Sequence, residues 1–302
     1  MSLRAKLLNQ WLRMTEKPHM RRANVAKMRR SLEVKSRTLF WAPRGTQYKL
    51  HGLGGSGRGV PALTIEKSGN GPHVLYFHGG GYVFGSPHTH RAMLAWLSDY
   101  ADTSVTAIAY KRAPEDPFPQ ALIDALIAYR SLKDTPGGVV LGGDSAGGGL
   151  ALALLGEIIR TGLRQPVGTF VFSPLTDLTF SGDSLRKNAQ AEVVLPAERV
   201  GEMASLYLGD VDPANPKASP LFAEFTGASP IWMTAGDTEI LLDDTTRMAE
   251  RLTAQGVDVT CEIERDLPHV WPIFKGYIPE AEATLRAVAA WIKALSHRSG
   301  DS

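Results

Sequence analysis

Apolar positions along the chain follow two rhythms. From residue 74 onward, short apolar runs alternate with longer stretches whose apolar residues recur every three to four positions. The runs 74–77, 105–109, 139–141, 169–172, 231–234 and 259–263 predict strands, and the stretches 88–101, 119–133, 146–160, 242–255 and 280–296 predict helices. Such alternation predicts a mostly parallel sheet covered by helices on both faces. Ahead of it, 47–51 and 60–66 read as strands flanking the Gly-rich stretch 52–59, so an antiparallel hairpin is expected at that edge. Further upstream, Leu3, Leu7, Leu8, Trp11 and Leu12 sit at helical spacing. They predict an amphipathic helix over 3–14, followed by a second helix over 19–32.

The stretch 183–225 breaks the rhythm. It holds one helix candidate, 196–208, and then the Pro-rich segment 212–220. It reads as an insertion over the strand ends. Residues 1–45 and 183–225 are therefore expected to form a helical cap, and residues 46–182 and 226–298 an α/β catalytic domain. No internal repeat or low-complexity tract interrupts this plan.

Composition narrows the class. Of 302 residues, 43% are hydrophobic and 21% charged, which excludes a disordered, collagen-like or disulfide-framework chain. The single cysteine, Cys261, has no partner for an intramolecular disulfide and fits a reducing compartment. Its alternation with Val259 and Ile263 predicts a buried, inert thiol. Residues 1–30 carry nine Lys/Arg and one acid, a net +8, which leaves −6 for the remainder of a chain whose net charge is +2. A basic amphipathic helix on an ordinary enzyme accounts for this split, and no nucleic-acid partner is expected. Arginines interrupt the N-terminus, so it is not a signal peptide, and no run reaches the roughly 20 apolar residues of a membrane span. The expected location is the cytoplasm.

Gly143-Asp-Ser145-Ala-Gly147 fits G-x-S-x-G between the strand 139–141 and the helix 146–160. That setting is what a nucleophile on a strained strand-to-helix turn requires. The alternative for Ser145 is a plain helix cap. His78-Gly79-Gly80-Gly81-Tyr82 directly follows the strand 74–77. Its glycines leave backbone N–H groups free to approach a substrate oxyanion. A phosphate loop would need G-x-x-x-x-G-K-[ST], and no such lysine follows.

Three blocks together resemble the bacterial hormone-sensitive-lipase family of α/β-hydrolase esterases. They are His78–Tyr82, Tyr110-Lys-Arg-Ala-Pro-Glu115 with Pro117 and Pro119, and Gly142–Gly148. The resemblance covers about residues 40–296 and, within the family, is similar to small esterases and monoterpene ε-lactone hydrolase-like enzymes. It implies Gly80, Gly81 and Ala146 as oxyanion donors, and a loop-shaping rather than proton-transferring His78. It also implies the chain order Ser, acid, His. Of the eight histidines only His269 and His297 lie late enough, and His269 stands in the loop after strand 259–263, where the base belongs. The family pattern D-P-L-x-D aligns with Glu239-Ile-Leu-Leu-Asp243, so the chain departs from it by carrying Glu239 at the acid position. Asp237 and Asp243 stay open as alternatives. Tyr82 and Trp271 flank these residues and are expected to line the substrate pocket.

The resemblance implies a carboxylic-ester hydrolase for short- to medium-chain acyl esters, working through Ser145, His269 and Glu239 without metal or organic cofactor. A lactone hydrolase is the nearest alternative. A serine peptidase or amidase lacks the accessory domain it would use, and a ligand-binding receptor would have lost a triad member. The partners expected are a small-molecule ester and a second copy of the chain. Gly52-Leu-Gly54-Gly-Ser-Gly57 matches G-x-G-x-x-G but precedes a strand rather than a helix, so it reads as a hairpin turn, not a dinucleotide site. His88-Thr-His90 reads as part of the pocket entrance rather than a metal pair.

Overall fold

The computed structural model describes residues 1–54, 59–69 and 71–298. Two helices open the chain, α1 (Leu3–Arg22) and α2 (Val25–Leu39). Strands β1 (Tyr48–Leu53) and β2 (Val60–Ile65) follow, then β3 (His73–Phe77), α3 (Pro87–Ala101) and β4 (Val105–Ile108). Next come α4 (Gln120–Leu132), β5 (Val139–Asp144), α5 (Ala146–Thr161), β6 (Gly168–Phe172), α6 (Ser184–Lys187) and α7 (Val200–Leu208). The chain closes with β7 (Ile231–Gly236), α8 (Leu242–Ala254), β8 (Val259–Glu264) and α9 (Pro279–Arg298).

The strands form one sheet in the order β1-β2-β4-β3-β5-β6-β7-β8. β2 is antiparallel to both β1 and β4, and every pairing from β4 to β8 is parallel. The central strands are buried on both sides, as their unbroken apolar runs require. Leu94 and Leu97 of α3 and Leu285 and Ile292 of α9 cover one face. Leu122 of α4, Leu154 of α5 and Met248 of α8 cover the other. This puts the C-terminal ends of β3, β5, β6, β7 and β8 along one rim, where open α/β sheets bind ligands. The β1–β2 hairpin is as expected, with residues 55–58 of the G-x-G-x-x-G segment outside the described residues.

Two expectations need correction. The N-terminal helices are longer than their apolar spacing indicated. α1 runs through Pro18 to Arg22, and α2 starts where Asn24 caps it by accepting from the Lys27 N–H at 2.9 Å. The boundary is set by this cap and not by the end of apolar periodicity. Cys261 is exposed rather than buried. Among the described residues β8 pairs only with β7, at the sheet edge, and every residue from Thr260 to Glu264 is exposed. Period-two alternation marks one strand face, but at an edge it does not say that anything covers that face.

The N-terminal helices are bolted to the 183–225 segment by cations on backbone carbonyls. Arg13 donates to Gln190 and Ala191, Lys17 to Ala189 and Glu192, and Arg199 reaches back to Met20 and Ala23. Arg13 and Lys17, two of the cations of residues 1–30, are therefore used within the molecule. Arg29 of α2 extends the pattern, donating to the carbonyls of Val83 and Ala113 and pairing with Glu115 at 2.7 Å. No described helix is long and apolar enough to cross a membrane.

Candidate active site

Ser145 stands between β5 and α5 with φ 52° and ψ −125°, a left-handed conformation that costs a non-glycine residue strain. The turn closes only because its flanks lack side chains. A Cβ on Gly143 would lie 2.3 Å from the Gly147 carbonyl, and one on Gly147 would lie 2.1 Å from that of Phe77. The second contact is the informative one, since it seats the start of α5 against the end of β3. The oxyanion-loop candidate leaves from that strand end. Gly80 there adopts φ +126°, and a Cβ on it would collide with the Phe84 carbonyl at 2.2 Å. Gly79, Gly80 and Gly81 face the same pocket as Ser145. Ala146 is the first residue of α5, so its N–H belongs to the positive end of that helix.

Asp144 joins these two pieces. It is 2% exposed. Its Oδ1 accepts from the Tyr76 hydroxyl at 2.8 Å and from the Gly79 N–H at 3.0 Å, and its Oδ2 lies 3.2 Å from His90 Nε2. Burial alone would raise the Asp144 pKa, but His90 and these hydrogen bonds outweigh it and hold the carboxyl below its ordinary range. His90 is shifted the opposite way, since Asp144 outweighs the lowering effect of burial. His78 is driven down to about 3 by burial and by His90, so it is neutral and no general acid. The Tyr110 ring stacks on it at 4.2 Å, and the Tyr110 hydroxyl donates to the His78 carbonyl at 2.6 Å. The H-G-G-G and Tyr110 blocks are thus one packed unit.

On the far side of Ser145, Glu239 Oε2 lies 2.6 Å from His269 Nδ1. Glu239 Oε1 accepts from the Ser173 hydroxyl at 2.7 Å and from the Gly236 N–H at 2.6 Å. Ser173 Oγ in turn accepts from the Val270 N–H at 3.2 Å, so one hydroxyl braces both partners. Burial lowers the His269 pKa, but the charge and hydrogen bond of Glu239 overcome this, and the net shift is upward. With Nδ1–H donating its hydrogen bond to Glu239, Nε2 carries the free lone pair. That atom is buried, has no hydrogen-bond partner among the described residues, and belongs to a residue lining the same pocket as Ser145.

The rival acids are engaged elsewhere. Asp237 Oδ1 accepts from the Asp266 N–H at 2.7 Å, and Asp243 Oδ2 from the Ser184 N–H at 2.9 Å. Tyr82 lines the pocket, stacked on Tyr207 at 3.8 Å. Trp271 does not. Its ring is fully buried with Ala5, Leu267 and Ile278, and its indole N–H donates to Thr284 at 2.9 Å. The 3-10 turn Trp271–Phe274 points the tryptophan inward and presents Ile273 and Phe274 to the pocket. His90 also lines the pocket, but its nitrogens are engaged by Thr89 and Asp144. Among the described residues no group of His, Cys, Asp and Glu is arranged to hold a metal. Sequence reasoning missed Ser173, Asp144 and His90 as supporting groups. Asp144 was visible as the variable position of G-x-S-x-G, whereas nothing in the sequence singles out Ser173.

The pocket wall is almost wholly apolar. Trp11 and Met20 come from α1, Met28 and Leu32 from α2, and Leu195 and Met203 from the 183–225 segment. The Glu16–Lys35 pair, at 2.5 Å, interrupts it where α1 meets α2.

A parallel sheet whose rim carries a serine on a strained elbow defines an α/β hydrolase, and comparison with known proteins agrees. The alpha/beta hydrolase fold family matches residues 74–273. The "Acetyl-hydrolase" of Streptomyces hygroscopicus is 37% identical over 74% of this chain and 76% of its own length. An "Esterase" of Acinetobacter venetianus is 32% identical over 74% and 75% respectively. The crystal structure of an esterase from the bacterial hormone-sensitive lipase family aligns with a TM-score of 0.91 at 34% identity, over 98% of this chain and 99% of that one. EstE5, soaked with p-nitrophenyl butyrate, aligns with a TM-score of 0.91 at 33% identity, over 98% and 100%. The chain belongs to the α/β-hydrolase family, on its bacterial hormone-sensitive-lipase branch.

Proposed function

We propose that this carboxylic-ester hydrolase works through Ser145, His269 and Glu239. His269 Nε2 takes the Ser145 proton as Oγ attacks the ester carbonyl carbon. The N–H groups of Gly80, Gly81 and Ala146 receive the resulting oxyanion. The imidazolium, stabilised by Glu239, then protonates the leaving alcohol. Water attacks the acyl-enzyme with His269 again as base, and His269 returns that proton to Ser145 Oγ as the carboxylic acid leaves.

The observation that carries this reading is the 2.6 Å contact between Glu239 and a histidine whose other nitrogen is buried and unpartnered. It is tested by trapping with a p-nitrophenyl alkylphosphonate followed by peptide mass spectrometry. The reading expects a single adduct on Ser145; an adduct on another residue contradicts it.

We read residues 1–45 and 183–225 as the cap that closes the acyl pocket. Its apolar wall favours short- to medium-chain acyl groups. A p-nitrophenyl ester series is expected to give the best kcat/KM between butyrate and octanoate and little turnover of insoluble triglyceride. The outer edge of β8, unpaired among the described residues, supports a homodimer, since an open edge is a ready template for another strand. Sedimentation equilibrium reads that stoichiometry.

A further inference from the structure

The 183–225 segment contains a buried acid that the reaction above does not use. Glu192 is 2% exposed. Its Oε1 accepts from the N–H of Val194 at 2.7 Å and of Leu195 at 3.3 Å, and its Oε2 accepts from the Ile240 N–H at 3.3 Å. Ile240 directly follows Glu239. The same turn grips the acid loop a second time, because Asn188 Nδ2 donates to the carbonyls of Asp237 at 3.0 Å and Glu239 at 2.8 Å. From the other side the buried Lys17 of α1 donates Nζ to the carbonyls of Ala189 at 2.8 Å and Glu192 at 2.6 Å. The Lys17 ammonium thus fixes the turn through its backbone, not through the carboxylate.

Through the Ile240 N–H, Glu192 is tied to the residue that follows Glu239, and its charge bears on His269 and Glu239. Burial raises the Glu192 pKa, the His269 charge lowers it, Glu239 raises it, and the net direction is up. The groups bearing on His269 are Glu239 from the β7 loop, Glu192 from the cap and Asp144 from the elbow. Those bearing on Glu192 are His269 and Glu239, with Lys17 from α1. A buried carboxylate is costly unless it is hydrogen-bonded and paired. Three backbone N–H groups bond this one, and the cation that forms at His269 during acylation gives it a counter-charge.

We infer that Glu192 is a second acidic positioning residue for the reaction. Its carboxylate holds the Glu239 loop in register with His269, and its charge helps stabilise the His269 imidazolium. Through Lys17 and the 189–192 turn, the N-terminal helix supports the catalytic acid as well as roofing the pocket. The inference rests on the triad reading above and extends it to the cap.

The test compares Glu192→Gln and Glu192→Asp with the parent, using p-nitrophenyl butyrate across pH. Glutamine keeps the shape and an acceptor for Val194 and Leu195 but removes the charge. It is expected to lower kcat about three- to tenfold with little change in KM, and to move the acid limb of kcat/KM to lower pH as the His269 cation loses a stabilising neighbour. Aspartate keeps the charge but loses the reach to Ile240. It is expected to lower kcat while leaving the limb in place. A role confined to packing would change thermal stability and leave the limb of Glu192→Gln unmoved. A folded Glu192→Gln enzyme with the parent's kcat and acid limb overturns the inference. If Glu192→Gln does not fold, parent-like kcat in Glu192→Asp overturns it. Ser145→Ala that keeps turnover, or a parent without an acid limb, overturns the triad reading and this inference with it.

Discussion

Gly79 donates its N–H to Asp144 Oδ1 at 3.0 Å, tying the glycine loop after β3 to the residue before the nucleophile. The glycine loop leaves β3 and Ser145 leaves β5, so their relative placement depends on a contact between the two loops. Asp144 supplies it, and its charge is held by His90 on α3. Replacing Asp144 with Asn keeps an acceptor for Tyr76 or Gly79 but removes the charge. The expected result is a loss of about tenfold or more in kcat/KM, below the roughly hundredfold cost of deleting an oxyanion donor outright. Steady-state kinetics with p-nitrophenyl acetate, read beside an unchanged circular dichroism spectrum, checks this.

The same pair makes stability depend on pH. His90 has a folded pKa raised above its unfolded value of about 6.5, so its contribution is complete below that value and is lost as pH rises through the folded pKa. Asp144 is shifted down, so its contribution is present above its unfolded value of about 3.9 and is lost as pH falls through the folded one. The pair is worth most between about pH 4 and 6.5. Removing His90 leaves a buried carboxylate uncompensated, so His90→Ala is expected to cost about 3 kcal/mol near pH 6. Urea melts at pH 6 and pH 9 read it, with a smaller difference between parent and variant at pH 9.

The contacts of Glu239 define what it can do. One oxygen faces His269 while the other is fixed by Ser173 and Gly236. Glu239→Gln is expected to lower kcat by roughly 10⁴, as when a triad acid loses the power to set the histidine tautomer. Asp237→Asn is expected to stay within about tenfold of the parent, because Asp237 holds a turn and not the imidazole. A reversed order of the two losses identifies Asp237 as the acid.

Much of this was legible in the residues. Parallel strands buried on both faces announce themselves as short apolar runs, and the glycines around Ser145 announce the elbow because no side chain fits there. What escaped was set by neighbours distant in sequence. Cys261 alternates like a half-buried strand residue, but burial depends on the sheet order, which leaves β8 at an edge. Trp271 lies two residues beyond His269, yet the intervening turn rotates it into the core. Ser173 carries no motif, and its importance comes from standing just after β6 beside Glu239, 66 residues later in the chain. Asp144 and His90 meet across 54 residues for the same reason.

The central claim is that Ser145 is the nucleophile. The most direct measurement is kcat for p-nitrophenyl butyrate in Ser145→Ala against the parent, with the fold checked by thermal melting. The account predicts a loss of about 10⁵–10⁶ with the melting temperature preserved. Turnover within tenfold of the parent would contradict it.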